Sequence, residues 1–322
     1  MLNFVDYYIQ YTERVSDLNN AVQKSPEMLV KQMEYQYRKR LDEIADFLYY
    51  GTGAEGNKLL LLSGPSSSGK TTTARMLCER FEWLGIKARK ISMDDFFLGR
   101  ENTPLLPDGS PDFESVAALN IPQLTECLLN LIKNGECDKP RFDFVNQRPL
   151  PELEHVRLGK DDIVVVEGIH ALNPIVTECL PEESTLKAYV SVKQGIYEGD
   201  REIMTAHEVR FCRRMVRDML FRGTSPEKTF EQWPKVLEGE EKYIQPFKRL
   251  ADVTINSIHI YEPCLIRQIA LPLLERIGIE SPYFEQTLDM KTKLRMFSPL
   301  SSEYIPANSL MREFIGNGIY CE

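Results

Sequence analysis

The stretch Leu59 to Thr73, LLLLSGPSSSGKTTT, constrains this chain more than any other. The run of four leucines reads as a buried parallel strand, and the amphipathic stretch after Lys70 reads as a helix. Between them stands glycine, four residues, then Gly-Lys-Thr, the spacing of a phosphate-binding loop. Gly64 and Gly69 let the backbone turn tightly, so that successive N–H groups from Ser66, Ser67, Ser68, Gly69, Lys70, Thr71 and Thr72 face one concavity. The helix N-terminus adds partial positive charge there. Lys70 has the reach for β and γ phosphates, and the Thr71 hydroxyl suits Mg²⁺. The bland alternative is a glycine-serine turn.

Whole-chain properties narrow the class. A net charge of -9 argues against a general nucleic-acid binder, which needs a basic face. Seven cysteines at 78, 127, 137, 179, 212, 264 and 321 show no CxxC pair, so reduced structural thiols in a cytoplasmic protein are expected. Met1 to Asn20 is mixed and acidic, unlike a signal peptide. No apolar run approaches the ~20 residues that a membrane span requires.

In order, residues 1 to 24 show no strong period. Ser25-Pro26-Glu27 starts a helix running toward Tyr50, with an apolar stripe of Met28, Leu29, Met33, Tyr37, Leu41, Ile44 and Leu48. Residues 1–55 are therefore expected to be an N-terminal helical appendage. It either packs on the main domain or mediates self-association, which leaves a homo-oligomer open. Thr72 to Leu84 is a predicted helix and Ala88 to Ser92 a second strand, ending in Met93-Asp94-Asp95-Phe96-Phe97. A proline- and glycine-rich loop to Asp112 and a helix from Pro122 to Asn134 come next. Arg141 to Phe144 is a short extended piece, and Asp162 to Glu167 and Leu186 to Val192 are buried strands by composition. Glu202 to Arg222 is a basic helix, followed by one from Ser225 toward Phe247 bent near Pro234. Asp252 to Asn256 is a last strand, and Tyr261 to Ile277 a helix. Residues 56–280 thus form the expected main domain, and 281–322 a helical extension packed on it. Two short helices are expected in that extension, Glu285 to Phe297 and Ser309 to Ile315.

Alternating strands and helices imply an α/β fold with a parallel sheet covered on both faces, whose ligands bind at the carboxyl ends of the strands. The loop after Leu62, Asp94 and Glu167 should meet there. Glu167 can hold Mg²⁺ directly or through water, against the alternative of a solvated strand-end acid. Asp94, with Asp95 in reserve, is the candidate carboxylate to accept a hydroxyl proton, against an Asx-type turn. Arg210, Arg213, Arg214, Arg217 and Arg222 stand in a segment without lysine. That choice suits a lid gripping phosphate through planar forks rather than a merely solvated face. The four histidines show no metal spacing and are assigned to structure or surface, and Trp233 and Tyr243 to packing.

These residues together resemble the uridine kinase and phosphoribulokinase family of P-loop kinases. The matching stretches are GPSSSGKTTT, MDDFF, FDF, VVVEGIHAL, RRMVRDMLFRG and ADVTIN, spread over Lys58 to Ser257. The resemblance implies a P-loop NTPase fold with an arginine-bearing helical lid, ATP and Mg²⁺ as cofactors, and a nucleoside-like small-molecule acceptor. It places the catalytic base on Asp94, the metal-side glutamate on Glu167, and the lid on Arg213, Arg214, Arg217 and Asp218. It puts substrate contacts on Arg210, Asp112 and the Phe142 to Arg148 segment, in which Phe142 and Arg148 are the candidates. The segment departs from the tyrosine and following histidine usual in uridine kinases. The C-terminal stretch Ile305 to Gly316 is extra to the simple enzymes. The expected activity is phosphoryl transfer from ATP to a hydroxyl, foremost the 5′-hydroxyl of uridine or cytidine. The alternatives are another ribosyl, sugar-phosphate or vitamin-like alcohol as acceptor, or a nucleotide-binding regulator without acceptor turnover.

Overall fold

The protein is described from a computed structural model covering residues 14–51, 58–144 and 146–320. Helices α1 (Val15–Lys24) and α2 (Pro26–Asp46) precede strand β1 (Lys58–Ser63) and helix α3 (Lys70–Trp83). Strand β2 (Ala88–Ser92) leads through a 3₁₀ turn, Met93–Phe96, and a long loop to helix α4 (Ile121–Asn134). Short strands β3 (Glu136–Lys139), β4 (Phe142–Asp143), β5 (Arg148–Pro149) and β6 (Glu154–Arg157) form two hairpin-like pairs before β7 (Ile163–Glu167). Then come α5 (Pro174–Thr177), β8 (Thr185–Ser191), and the ribbon β9 (Ile196–Glu198) and β10 (Arg201–Met204). Helices α6 (Ala206–Phe221) and α7 (Pro226–Tyr243), strand β11 (Val253–Asn256), and helices α8 (Glu262–Leu274), α9 (Phe284–Arg295) and α10 (Arg312–Ile315) complete the chain.

Among the described residues, β2, β7, β1, β8 and β11 lie side by side in that order, all parallel. The leucine run explains itself in this sheet. Side chains of a strand alternate between faces. Leu60 and Leu62 enter the cluster with α1, α2, α3, α6 and α8, while Leu59 and Leu61 enter the one with α4. All four are at most 1% exposed, so neither face tolerates a polar residue. Each contributes about 1.5–3 kcal/mol by leaving water.

Several boundaries differ from the sequence reading. Val15, Leu18 and Val22 give α1 a narrow apolar stripe, too short to stand out among ten mostly polar residues. In α2 the stripe runs through Leu29, Met33, Tyr37, Leu41 and Ile44, but Met28 is 65% exposed in the first turn. The segment before α6 is strand β10 rather than helix, because the capping box of Thr205 and Glu208 starts the helix at Ala206. Helix α7 continues through Pro234. The expected reduced thiols at 127 and 137 are corrected: Cys127 on α4 and Cys137 on β3 are joined by a disulfide, since the helix and its following strand pack side by side. Cys321 and residues 1–13 lie outside the described residues. No helix among the described residues is long and apolar enough to cross a membrane.

Apolar packing joins described residues before β1, in the sheet region and after α8. Helices α1 and α2 share one apolar cluster with β1, α3 and the C-terminal Leu300, Ile305, Leu310, Met311 and Phe314.

Candidate active site

The parallel register sets the geometry. Leu62 on β1, Glu167 on β7 and Ser92 on β2 stand in one row across the sheet. The next residues along each strand therefore emerge together: the loop from Gly64, Gly168, and Met93-Asp94. The crowding makes glycine necessary at two of these points. A Cβ at Gly64 would lie 2.1 Å from the Val190 carbonyl oxygen, and one at Gly168 would lie 2.7 Å from Met93.

The loop from Gly64 to Gly69 bends onto the N-terminus of α3. Gly69 takes φ +88°, which favours glycine, and Ser67 also stands at positive φ. Lys70 Nζ folds back to the Pro65 carbonyl at 3.1 Å, and the Ser67 and Ser68 hydroxyls are buried without a partner. Burial holds the Lys70 ammonium below its usual pKa, opposed by Glu167, Asp94 and Glu313. A concavity of unpaired donors at a helix N-terminus suits polyanionic phosphate.

Glu167, 5% exposed, faces the Thr71 hydroxyl at 3.4 Å and Lys90 Nζ at 3.9 Å. A hydroxyl beside a carboxylate fits Mg²⁺, which takes one or two protein oxygens and completes its shell with water and phosphate. Among the described residues no group of three His, Cys, Asp or Glu could hold a metal by itself. Asp94 is half-buried, and its carboxyl is pushed up to about 7, first by burial and then by Glu167, with Lys70 opposing. Asp95 instead accepts from Lys139 Nζ at 2.8 Å. The two aspartates are thus distinguished by surroundings that the sequence does not display.

The arginine helix α6 grips the loop from behind. Arg213 is fully buried: its Nε and Nη2 meet Glu262 at 2.5 and 2.8 Å, Nη2 also donates to the Ser257 carbonyl at 2.8 Å, and Nη1 reaches the Ser67 carbonyl at 3.3 Å. Phe314 covers its face at 5.1 Å. Arg213, expected in the lid, is here committed to Glu262 and to the Ser67 and Ser257 carbonyls. Arg210 is likewise committed. It forms a two-pronged pair with Glu240, and its Nε donates to the Ser66 carbonyl at 3.2 Å. Arg214 Nη1 donates to Ser66 Oγ at 3.0 Å, while Arg214, Arg217 and Arg222 all engage Asp218. Glu240 and Glu262 went unnoticed in the sequence because their partners lie 30 and 49 residues away.

On the side of the long loop, Asp112 Oδ2 accepts from the Tyr243 hydroxyl at 3.0 Å. Tyr243 therefore bonds a candidate substrate residue instead of only packing. His170 is 2% exposed, stands edge-on to Tyr243, and has its pKa lowered to about 4 by burial. The neighbouring Glu114 carboxyl is raised by burial, with Arg214 and Lys70 opposing. Glu114 carries no motif that marks it, and His170 lies within the VVVEGIHAL stretch, where the sequence reading assigns it to structure or surface. Phe142 is packed between Phe97 and Phe144, with centroids at 5.6 and 5.2 Å. Arg148 stands exposed on β5, opposite Asp143.

A sequence profile described as phosphoribulokinase/uridine kinase family matches residues 59–262, well over half of the chain. The chain belongs to this family of kinases. The uridine kinase of Deinococcus deserti is 28% identical over 205 residues, 63% of this chain and 89% of that protein. That of Bacillus subtilis is 26% identical over 195 residues, covering 60% and 83%. That of Saccharomyces cerevisiae is 29% identical over 202 residues, covering 61% of this chain and 36% of the yeast protein. A solved structure from Bacillus stearothermophilus, described as a possible uridine kinase, aligns with TM-score 0.47 at 19% identity over 68% of this chain and 99% of that one. The matched region opens at β1 and closes on the first residue of α8, so α1, α2 and everything after Glu262 lie outside it.

Proposed function

We propose that this kinase transfers the γ-phosphoryl group of ATP to a hydroxyl of a nucleoside-like small molecule, foremost the 5′-hydroxyl of uridine or cytidine. The observation that carries the reading is Asp94: a half-buried carboxyl raised to about 7, beside Lys70 and Glu167 at the end of the loop strand's row. A base is most useful when its pKa lies near the working pH. Asp94 takes the acceptor proton, and Lys70 and the loop amides hold the phosphates. Thr71 and Glu167 would hold magnesium, which would supply charge neutralisation on the transferring group. Arg214 and Arg217, each about 13–14% exposed, are the lid arginines with a face left for phosphate oxygens. Arg210 and Arg213 hold Ser66 and Ser67 in place as positioning residues. Asp112, fixed by Tyr243, is the candidate partner for acceptor hydroxyls, with Phe142 as an apolar wall.

A second reading keeps the chemistry and changes the acceptor. It is favoured by the Phe142 ring, which offers no hydroxyl where uridine kinases usually carry tyrosine, and by Arg148 on the neighbouring strand. A panel of nucleosides, sugar phosphates and other alcohols, assayed by ADP release with magnesium, separates the two. Stimulation by uridine or cytidine supports the first reading. Stimulation only by another alcohol supports the second, and ADP release indifferent to every acceptor overturns both.

A further inference from the structure

The C-terminal segment ends on the phosphate loop. Glu313, one residue into α10, points its carboxylate at the start of α3, where Oε2 accepts from the Thr72 backbone N–H at 3.3 Å. Leu310 sits on Gly69, so that a Cβ there would lie 2.6 Å from the leucine side chain. Phe314 covers Arg213 at 5.1 Å. The segment is anchored from below: the Ser309 hydroxyl donates to Glu34 Oε1 at 2.6 Å, and Arg38 donates to the Asn308 carbonyl at 3.0 Å. Leu310, Met311 and Phe314 are fully buried, while Glu313 is only half-buried.

The N–H groups of the first turn of α3 are the donors that a nucleotide phosphate would take. One N–H serves one strong acceptor. A carboxylate on Thr72 N therefore stands in for a phosphate oxygen, and it also places a negative charge near Lys70, where a polyanion must come. We propose that Glu313 is an internal competitor for the phosphate site: the chain's own C-terminal strap carries an anion that nucleotide must displace from Thr72 before it can seat. The buried leucine, methionine and phenylalanine keep the strap in place, and the half-buried glutamate side chain is the part that yields. The strap lies outside the region matched by the family profile, so the competitor is an addition of this chain to the shared kinase core. Apparent affinity falls by the fraction of molecules whose site is open.

This inference rests on the nucleotide-binding reading of the loop. The test is calorimetric titration of ADP with magnesium into the full chain and its Glu313→Ala, Glu313→Gln and Glu313→Asp variants, with Glu303→Ala on the exposed turn at Ser302–Tyr304 as the charge control. Deleting the competitor should tighten ADP by about ten-fold or more, the worth of one charge-assisted hydrogen bond. Gln and Asp should fall between Ala and the parent chain, and Glu303→Ala should match the parent. Unchanged or weaker affinity in folded Glu313→Ala, or in Gln and Asp if Ala does not fold, overturns the proposal while leaving the nucleotide site intact. Equal tightening in Glu303→Ala overturns it as well, since a general charge effect would then suffice. ADP that binds neither the parent nor any variant overturns the nucleotide reading itself.

Discussion

Replacing Arg213 with methionine separates a lid arginine from a structural one. Both Arg213 and Glu262 are completely buried, and Arg213 supplies two of the hydrogen bonds to the Glu262 carboxylate. In Arg213→Met the carboxylate keeps the His259 backbone N–H at 3.0 Å and loses its countercharge. Removing one partner of a buried ion pair costs about 3–5 kcal/mol, because the remaining charge is left desolvated. The carbonyls of Ser67 and Ser257 lose a donor at the same time. Urea unfolding of the nucleotide-free protein should therefore show Arg213→Met destabilised by about 3–5 kcal/mol. The double variant Arg213→Met/Glu262→Leu should recover part of that loss, since an apolar pair in place of a buried ion pair is often neutral. An arginine that served only incoming phosphate would leave the nucleotide-free stability untouched. A loss below about 1 kcal/mol, or a double variant as damaged as the two single losses added, refutes the assignment.

Asp94→Asn should lower kcat by about 10²–10⁴, the usual worth of a positioned base, with ADP affinity nearly unchanged by calorimetry; full turnover sinks the role. Because the base must be ionised, kcat/KM should fall as pH drops below about 7 in the parent chain. The same raised pKa favours the folded state below the ordinary carboxylate range, and that contribution is lost as pH rises through about 7. The urea midpoint should accordingly decline between pH 5 and pH 8 by an increment that Asp94→Asn removes. Gly64→Ala should abolish ADP binding and lower Tm, since its Cβ would meet the β8 backbone at 2.1 Å where no side-chain rotation gives relief; parent-like affinity refutes the close-approach argument.

Much of the sheet was legible because its signals are local. The leucine run, the loop glycines and the DIVVVE strand each name their own conformation, and parallel pairing then forces Leu62, Ser92 and Glu167 into one row. Asp94 and Glu167 could thus be placed together without coordinates. The cysteine pair escaped because Cys127 and Cys137 become neighbours only when α4 packs beside β3. The polar surroundings of Asp112 escaped for a similar reason, with Tyr243 arriving from 131 residues away.

The arginines show where local reading stops. Their type and spacing announce phosphate chemistry, but a guanidinium binds whichever anion the fold brings to it. Tertiary packing delivers Glu262 to Arg213 and Glu240 to Arg210, and both arginines also reach the carbonyls of Ser67 and Ser66. The sequence by itself determined the strand order's raw material, the phosphate loop and the two carboxylates at its mouth, since each is written within a dozen neighbouring residues. Only the tertiary structure decided which arginines stay near the open site and that Glu313, 241 residues from Thr72, sits on the loop helix. Hydrogen bonds and ion pairs act over a few ångströms of space, and no pattern along the chain records which distant residues will share them.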